Sequence, residues 1–146
     1  MSKVKQISFT LGNIRTEQFA MFEDVLSSHN GTFEINNNGS VSVGGDPTNR
    51  VITISVQSDF KIAEKIAMTI EVGTTFIIET SSWKMLKDNN TVTLPKDFVI
   101  HLESIALSIT RGVLAAKTEG TCFSSYMIPL VNMASLVKDD VKINCQ

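Results

Sequence analysis

The chain has 146 residues, 42% of them hydrophobic and 19% charged, and this composition excludes an intrinsically disordered protein. Its formal net charge is −2 at pH 7, so there is no electrostatic basis for binding nucleic acid. The length predicts a single domain over residues 1–146.

The first 26 residues predict one strand and leave the following segment open. Residues 7–11 alternate between apolar and polar side chains and end at Gly12, which predicts a short strand. Residues 16–26 fit either a short helix capped by Thr16 or an extended path with Phe19 in the core. The chain starts without the apolar segment of a signal peptide, so we expect a cytoplasmic protein.

Turn signals divide the next part of the chain. Residues 29–31, His-Asn-Gly, predict a turn, and residues 33–35 begin a strand. The Asn-Gly step at 38–39 favours a hairpin turn, after which Val41 and Val43 return in a second strand. Residues 44–47, Gly-Gly-Asp-Pro, predict a further loop.

Alternation continues in the middle of the chain. Residues 52–56 and 66–72 each predict a strand with one buried face, Gly73 breaks the pattern, and residues 75–79 predict another strand. Residues 83–90 are expected to form a loop with a polar tip. Strands at this spacing predict an antiparallel meander, and helices that follow them place the chain in the α+β class.

A long helix is predicted next, with Pro95 in its first turn and Gly120 at its end. Its other side is also apolar, so we expect cover from a sheet and from a second helix or a partner subunit. His101, Glu103 and Arg111 interrupt it, which argues against a membrane span. The spacing of three and four that defines one face falls on Phe98, Leu102, Ile105, Ile109, Val113 and Ala116.

An extended linker and a short helix are predicted to follow. Pro129 prevents a continuous helix, and Asn132 is a plausible N-cap for a helix over residues 133–137. The predicted architecture is therefore an antiparallel sheet of about four strands packed with one long helix and a short C-terminal helix.

These C-terminal residues resemble the SecB protein-export chaperones. The resemblance lies in Arg111-Gly112, in Gly120-Thr121-x-Phe123, and in the segment 129–136, Pro-Leu-Val-Asn-x-x-x-Leu. SecB proteins likewise have a long helix, a Gly-containing turn and a Pro-x-Asn segment before the last helix. Met133 departs from the pattern, because the family usually has an aromatic residue there.

The resemblance extends patchily to the strands. Residues 6–10, Gln-Ile-Ser-Phe-Thr, resemble an early SecB strand, and residues 70–72, Ile-Glu-Val, resemble its third strand. In that family, early acidic residues help to dock the SecA motor. Gln6 and Thr10 stand in their place here, so the resemblance implies only Glu71 for partner docking and leaves SecA docking doubtful.

No catalytic or metal-binding arrangement is evident in the sequence. The only histidines, His29 and His101, have no second ligand at metal spacing and are more simply surface or structural residues. Cys122 and Cys145 are most simply reduced thiols. We therefore expect no enzyme activity, no cofactor and no metal.

Seven aromatic and methionine residues are candidates for a client-binding groove. Such side chains combine large contact area with adaptable shape, although core packing is the simpler interpretation for each one alone. SecB-like proteins hold unfolded polypeptide in grooves near the connector between their two helices, which implies this role for the set. The candidates are Phe76, Trp83, Phe98, Phe123, Tyr126, Met127 and Met133.

The resemblance implies an ATP-independent holdase chaperone, which binds unfolded or preprotein polypeptides in apolar grooves and takes part in preprotein export. SecB-like proteins assemble as dimers of dimers, so we expect a homo-oligomer, dimer or tetramer, without membrane insertion. The alternative is a dedicated protein-binding module, such as the SecB-like partner of a toxin–antitoxin pair, without general chaperone activity. An enzyme acting on a small molecule is the least favoured hypothesis.

Overall fold

A computed structural model of the chain describes residues 6–28, 34–129 and 131–145. The turn predicted at residues 29–31, which includes His29, and the strand start at Phe33 lie outside the described residues. In chain order the elements are β1 Phe9–Met21, α1 Glu23–Ser27, β2 Ile35–Asp46, β3 Val51–Ile62, β4 Lys65–Ile78, α2 Thr80–Leu86, β5 Lys87–Asp88, β6 Thr91–Leu94, α3 Lys96–Thr118, α4 Met133–Leu136 and β7 Val141–Asn144.

The predicted α+β class is confirmed, with a four-stranded antiparallel sheet, a long helix and a short C-terminal helix. The strand order is β1-β4-β3-β2. Strands β2, β3 and β4 form the predicted meander, whereas β1 pairs with β4 at the far side of the sheet. Helix α3 packs on β3 and β4, and buried residues of both layers form one hydrophobic cluster.

Strand β1 does not end at Gly12, which corrects the predicted boundary. The backbone N–H of Asn13 donates to Thr75 Oγ1 at 2.6 Å, and a Cβ at Gly12 would lie 2.5 Å from the same oxygen. Because Gly12 has no side chain, β1 and β4 can approach each other closely and accommodate a bulge. Strand β1 therefore continues past Gly12. The extended alternative for the next segment is confirmed as far as Met21, with Phe19 partly buried against the core.

The hairpin turn predicted at residues 38–39 is wrong. Strand β2 runs through them without interruption and pairs with β3 over twelve positions, from Ile35–Ile62 to Asp46–Val51. Asn37 supports this extended path because its Nδ2 donates to Ser58 Oγ at 2.7 Å. The loop predicted at residues 44–47 begins later for the same reason, at Pro47.

Gly73 also lies inside a strand, although the sequence predicted a break there. It pairs with Ser55 on one side and Arg15 on the other, in the middle of β4. The Glu17 carboxylate lies above it, because Oε1 is 3.6 Å from the position of a Cβ at Gly73. Pairing with β1 and β3, together with the Glu17 side chain above Gly73, keeps β4 continuous. The low strand propensity of glycine therefore does not decide the structure here.

The loop predicted over residues 83–90 is wrong as well. Residues Thr80–Leu86 form α2, and a tight turn at Asn89 joins β5 to β6. Asn89 takes the left-handed conformation, φ 55°, that asparagine tolerates better than most residues. Strand β7, which the sequence analysis did not predict, pairs with β6 and completes a second, three-stranded sheet.

Helix α3 is confirmed, and Gly120 has the predicted positive φ, +77°, but the helix ends two residues earlier, at Thr118, because Glu119 already leaves the helical conformation. The predicted buried face needs correction: of its six residues only Leu102 is buried, because a helix with apolar residues on most sides fits more than one face. The hydroxyls of Thr110 and Thr118 donate to carbonyls one turn earlier, each at 2.8 Å, which lets these residues face the sheet. The buried residues are Val99, Leu102, Glu103, Ala106, Leu107, Thr110, Leu114 and Thr118.

By length and composition alone, α3 could cross a membrane, since its most apolar 18-residue window has a mean hydropathy of 1.4. Core helices of globular proteins have the same property, and 44% of this window is buried inside the fold. The absence of membrane insertion remains a prediction.

Candidate polypeptide-binding groove

The segment between α3 and α4, called the connector (residues 119–129 and 131–132), is held by a series of hydrogen bonds. The Thr121 hydroxyl donates to the Thr118 carbonyl at 2.7 Å and accepts from the Phe123 backbone N–H at 3.1 Å. Further along, Arg111 on α3 donates from Nε to the Ile128 carbonyl at 2.9 Å. These bonds hold both ends of the connector to α3 or to the turn that follows it.

Helix α4 begins where the sequence predicts. The Asn132 side-chain oxygen accepts a hydrogen bond from the Ala134 backbone N–H at 3.1 Å, which confirms Asn132 as the N-cap. Met133, the first helical residue, is only 3% exposed and anchors the helix on the core. The rest of α4 remains at the surface, with Leu136 57% exposed.

A groove of about 340 Å³ lies between strand β2 and the connector. Helix α3 and strand β3 contribute Leu107 and Val56 to its lining, and α4 contributes Met133 and Leu136. None of the lining residues is charged. They are Asn37, Gly39, Ser40, Val41, Val56, Gln57, Ser58, Leu107, Ile128, Pro129, Val131, Met133 and Leu136.

Apolar side chains at the mouth of this groove are exposed to solvent. Val131 is 41% exposed and Leu136 57%, whereas Ile128 and Met133 beside them are nearly buried. An apolar surface with no cover and no charge can bind the apolar side chains of another molecule. The groove is therefore the candidate functional site of the described part of the chain.

Two of the predicted aromatic residues belong to the connector and form an aromatic cluster on its inner side. The rings of Phe123 and Tyr126 pack edge to face with centroids 5.4 Å apart, and Tyr126 also stacks on Phe60 at 6.2 Å. Phe123 is fully buried, so it supports the connector from below and offers no surface to a client. Burial, and secondarily the nearby Cys122, raise the pKa of Tyr126.

Three other predicted residues lie away from the groove. Phe76 is fully buried and Phe98 half-buried, and both contact Phe9, with ring centroids at 5.8 and 5.5 Å. Trp83 belongs to α2 and is only 6% exposed. The burial of Phe76 and Trp83 assigns these two side chains to the hydrophobic core, which corrects their predicted place in a groove.

Of the seven predicted residues, Met133 lines the groove and Met127 on the connector is 36% exposed. Glu71, the predicted docking residue, lies on the other face of the sheet, because its neighbours in β4, Ile70 and Val72, are buried in the core. It pairs with Gln18 and Gln57 in the adjacent strands. Its docking role remains a prediction.

Most residues that line the groove were not predicted from the sequence. Val131 and Leu136 fall within the segment that resembles SecB, but they are neither aromatic nor methionine, the residue types on which the predicted groove was based. Val41 was not predicted to line the groove, because the hairpin turn wrongly predicted at residues 38–39 separated it from the rest of β2. Leu107 could have been found as an apolar residue on the second apolar side of α3.

The described residues show little that could support catalysis. Among them, no group of three or more His, Cys, Asp or Glu side chains could hold a metal ion. Glu103 is a buried carboxyl on α3, and its burial raises its pKa above the ordinary value. Cys122 is exposed and Cys145 half-buried, and both are free.

Comparison with solved structures identifies the architecture. The SecB-like chaperone Rv1957 of Mycobacterium tuberculosis, solved with a ChAD peptide from the antitoxin HigA1 (Rv1956), superposes with a TM-score of 0.52 and 12% identity. The match covers 84% of this chain and 90% of that protein. This chain has a SecB-like fold.

A protein of unknown function from Streptococcus agalactiae also matches, with a TM-score of 0.36, 13% identity, and coverage of 86% of this chain and 98% of that one. No protein-family model matches the sequence. No curated protein matches it either.

Proposed function

We propose that this protein is an ATP-independent holdase chaperone that binds unfolded polypeptide segments in the groove beside the connector. The observation that carries the proposal is the uncharged groove with Val131 and Leu136 exposed at its mouth. The SecB-like fold supports it, because it joins this groove to an architecture found in a chaperone.

The mechanism requires only burial of apolar surface. Covering one exposed leucine or valine side chain contributes about 1 kcal/mol or more, at roughly 25 cal/mol per Å². Several such contacts hold a non-native segment reversibly, and a client that is bound cannot aggregate while it waits to fold or to be transferred. The groove contains no charge that would select a charged sequence, so broad recognition of apolar segments is expected.

We also propose that the protein acts in the cytoplasm as a homo-oligomer. The outer face of α3 carries a shallow depression lined by His101, Ser104, Ile105, Ser108 and Ile109. Its two isoleucines are half-buried in the single chain. A second copy packed on this face would cover the side of α3 that the sheet leaves open.

Suppression of aggregation tests the holdase proposal. Several unrelated proteins are diluted from denaturant, and light scattering is followed with and without the chaperone. We expect suppression by the natural protein and a large loss of it in a variant with Val131→Ser and Leu136→Ser. A control variant with Leu11→Ser and Ile14→Ser changes two residues that are 49% and 47% exposed on β1. Equal activity of both variants would contradict the assignment of the groove.

A dedicated protein-binding module is the second candidate. It is favoured by Gln6 and Thr10, which replace acidic SecA-docking residues in the resemblance, and by the antitoxin peptide bound to the structural neighbour. The same panel of clients discriminates between the two. Protection of many unrelated proteins supports the general holdase, whereas protection of none, with capture of one fixed partner, supports the dedicated module. A role in preprotein export would additionally require binding to SecA.

A further inference from the structure

A second cavity, called the end cavity, lies where β1 begins and β4 ends. Its volume is about 360 Å³, and none of its lining residues lines the groove. Three apolar residues line it, Phe9, Ile77 and Ile78, together with one side chain of each charge, Arg50 and Glu79. Small-molecule sites typically have volumes of about 300–1,000 Å³ and a few polar groups that orient the ligand. The end cavity is near the lower end of this range, so it suits a small ligand.

Arg50 is positioned by the loop between β2 and β3. The Asp46 carboxylate holds this loop, because it accepts hydrogen bonds from the Thr48 backbone N–H at 3.1 Å and from Asn49 Nδ2 at 2.8 Å. Arg50 follows in the left-handed conformation, with φ 58°. Residues other than glycine adopt this conformation rarely, and where they do, the strain often accompanies a functional site.

The backbone and the side chain of Arg50 both bond to the end of β4. The Arg50 carbonyl accepts from the Ile78 backbone N–H at 2.9 Å, and Arg50 Nε donates to the Ile78 carbonyl at 3.1 Å. The guanidinium has five N–H donors, so the four on its two Nη atoms remain for a ligand. A guanidinium held in this way offers a planar set of donors that matches a carboxylate.

Glu79 carries the opposite charge and is held beside the start of β1, because its backbone N–H donates to the Ser8 carbonyl at 2.9 Å. Its carboxylate accepts a hydrogen bond from the Ser81 hydroxyl at 3.3 Å. Within the described part of the chain, Arg50 and Glu79 form no ion pair, either with each other or with another residue. Two opposite charges that line one cavity without contacting each other can bind two different groups of one ligand.

We propose that the end cavity binds a free α-amino acid with an apolar side chain. The α-carboxylate accepts hydrogen bonds from the Nη groups of Arg50, and the α-ammonium group donates to the Glu79 carboxylate. The side chain of the ligand contacts the apolar residues that line the cavity. A polypeptide carries its ammonium and carboxylate groups at opposite ends, so it cannot supply both at one site. The inference is therefore independent of the proposed function.

Isothermal titration calorimetry with free amino acids tests the inference. The probes are L-leucine, L-isoleucine, L-methionine and L-phenylalanine, and we expect saturable binding of at least one of them. The matched controls are the N-acetyl derivative of that amino acid, which lacks the ammonium group, and its amide, which lacks the carboxylate. Each should bind about tenfold more weakly or worse, because a charge-assisted hydrogen bond is lost. Binding of none of the four, or equal binding of the two derivatives, would overturn the proposal.

Substitutions show whether the two charges of the end cavity form the site. Arg50→Gln and Glu79→Gln should each weaken binding about tenfold or more. The controls are Arg15→Gln and Glu17→Gln, which remove the same charges from an exposed ion pair on β1, 3.7 Å between Nε and Oε1, and should bind like the natural protein. Glu79 is exposed, so its variant should fold normally even if the Arg50 variant does not. Unchanged affinity of the Glu79 variant would refute the site.

Discussion

Arg111 on α3 holds the connector in place through one hydrogen bond, from its Nε to the Ile128 carbonyl at 2.9 Å. Ile128 lines the groove, so the position of the groove wall depends on a side chain that does not itself line it. Because Arg111 positions the groove wall without lining it, the effects of its substitution on protein stability and on client binding can be measured separately.

Substitution of Arg111→Met should therefore weaken client binding severalfold. It should also cost about 1 kcal/mol of unfolding free energy, the usual net value of one hydrogen bond. The matched control is Arg50→Met, because Arg50 Nε donates in the same way to the Ile78 carbonyl at 3.1 Å but does not line the groove. Urea denaturation should show similar losses of stability in the Arg111 and Arg50 variants. Fluorescence anisotropy with a peptide should show weaker binding in the Arg111 variant only. Equally weakened peptide binding in the two variants would argue against the positioning role of Arg111.

Phe123→Ala should destabilise the whole protein and not merely its client binding. The ring is fully buried and packs on Tyr126, and removal of a buried phenylalanine side chain costs about 3–5 kcal/mol. Met127→Ala, four residues on, removes a side chain that is 36% exposed and should cost under about 1 kcal/mol. Urea denaturation followed by circular dichroism measures both. A Phe123 variant as stable as the natural protein would contradict its place in the core.

Glu103 should make the protein less stable as pH rises. Burial raises its pKa in the folded state above the ordinary 4.5, so the folded protein binds this proton more tightly than the unfolded chain. The stabilisation is complete below pH 4.5 and is lost as pH rises through the higher folded pKa. Glu103→Gln should remove this part of the pH dependence and be more stable than the natural protein at pH 7.

The measurement for Glu103 is the unfolding free energy in urea at several pH values, for the natural protein and the glutamine variant. Identical pH profiles would show that the carboxyl is ionised in the folded state at no cost.

Gly12→Ala should be strongly destabilising even though it lies in an exposed strand. The new Cβ would lie 2.5 Å from Thr75 Oγ1, which accepts a hydrogen bond from the Asn13 backbone N–H, so either the Thr75 side chain rotates and loses this bond or the strands move apart. Such overpacking typically costs about 1–3 kcal/mol. Gly44→Ala is the control, because a Cβ there has nothing within 4 Å. Thermal denaturation should show a clear loss for Gly12 only, and equal effects would contradict the close contact.

Ser108→Arg should disrupt the proposed oligomer. Ser108 lies in the depression on the outer face of α3, where a long charged side chain cannot be buried against a second copy. Analytical ultracentrifugation should give a multiple of 16.0 kDa for the natural protein and a smaller species for the variant. Ser81→Arg on the exposed side of α2 should leave the mass unchanged. A natural protein that sediments only as a monomer would refute the interface.

The sequence predicts elements well where periodicity and local signals agree. Helix α3, the positive φ of Gly120 just after its end, and the Asn132 cap of α4 follow from local chemistry and are correct. The strand predicted over residues 52–56 is also confirmed, because its alternation is uninterrupted, although β3 extends beyond it, from Val51 to Ile62. These features depend on residues close together in the chain.

The errors fall where distant neighbours override local preference. The Asn-Gly step at 38–39 and Gly73 both signal breaks, yet regular pairing with adjacent strands keeps the backbone extended through each of them. Which side of α3 faces the sheet could not be predicted either, because both sides are apolar and only tertiary packing distinguishes them. The groove depends on both features, so its lining could not be derived from the sequence.

The C-terminal part of the chain also affects how the groove could open. The Asp140 carboxylate accepts a hydrogen bond from the Lys96 backbone N–H at 2.8 Å, and β7 then pairs with β6 just before α3. The stretch that carries α4 is therefore tethered at both ends to the same rigid helix. If the proposed site widens for a bulky client, we expect the movement to be confined to this tethered stretch, with the hydrogen bonds of the connector broken and the sheet beneath unchanged.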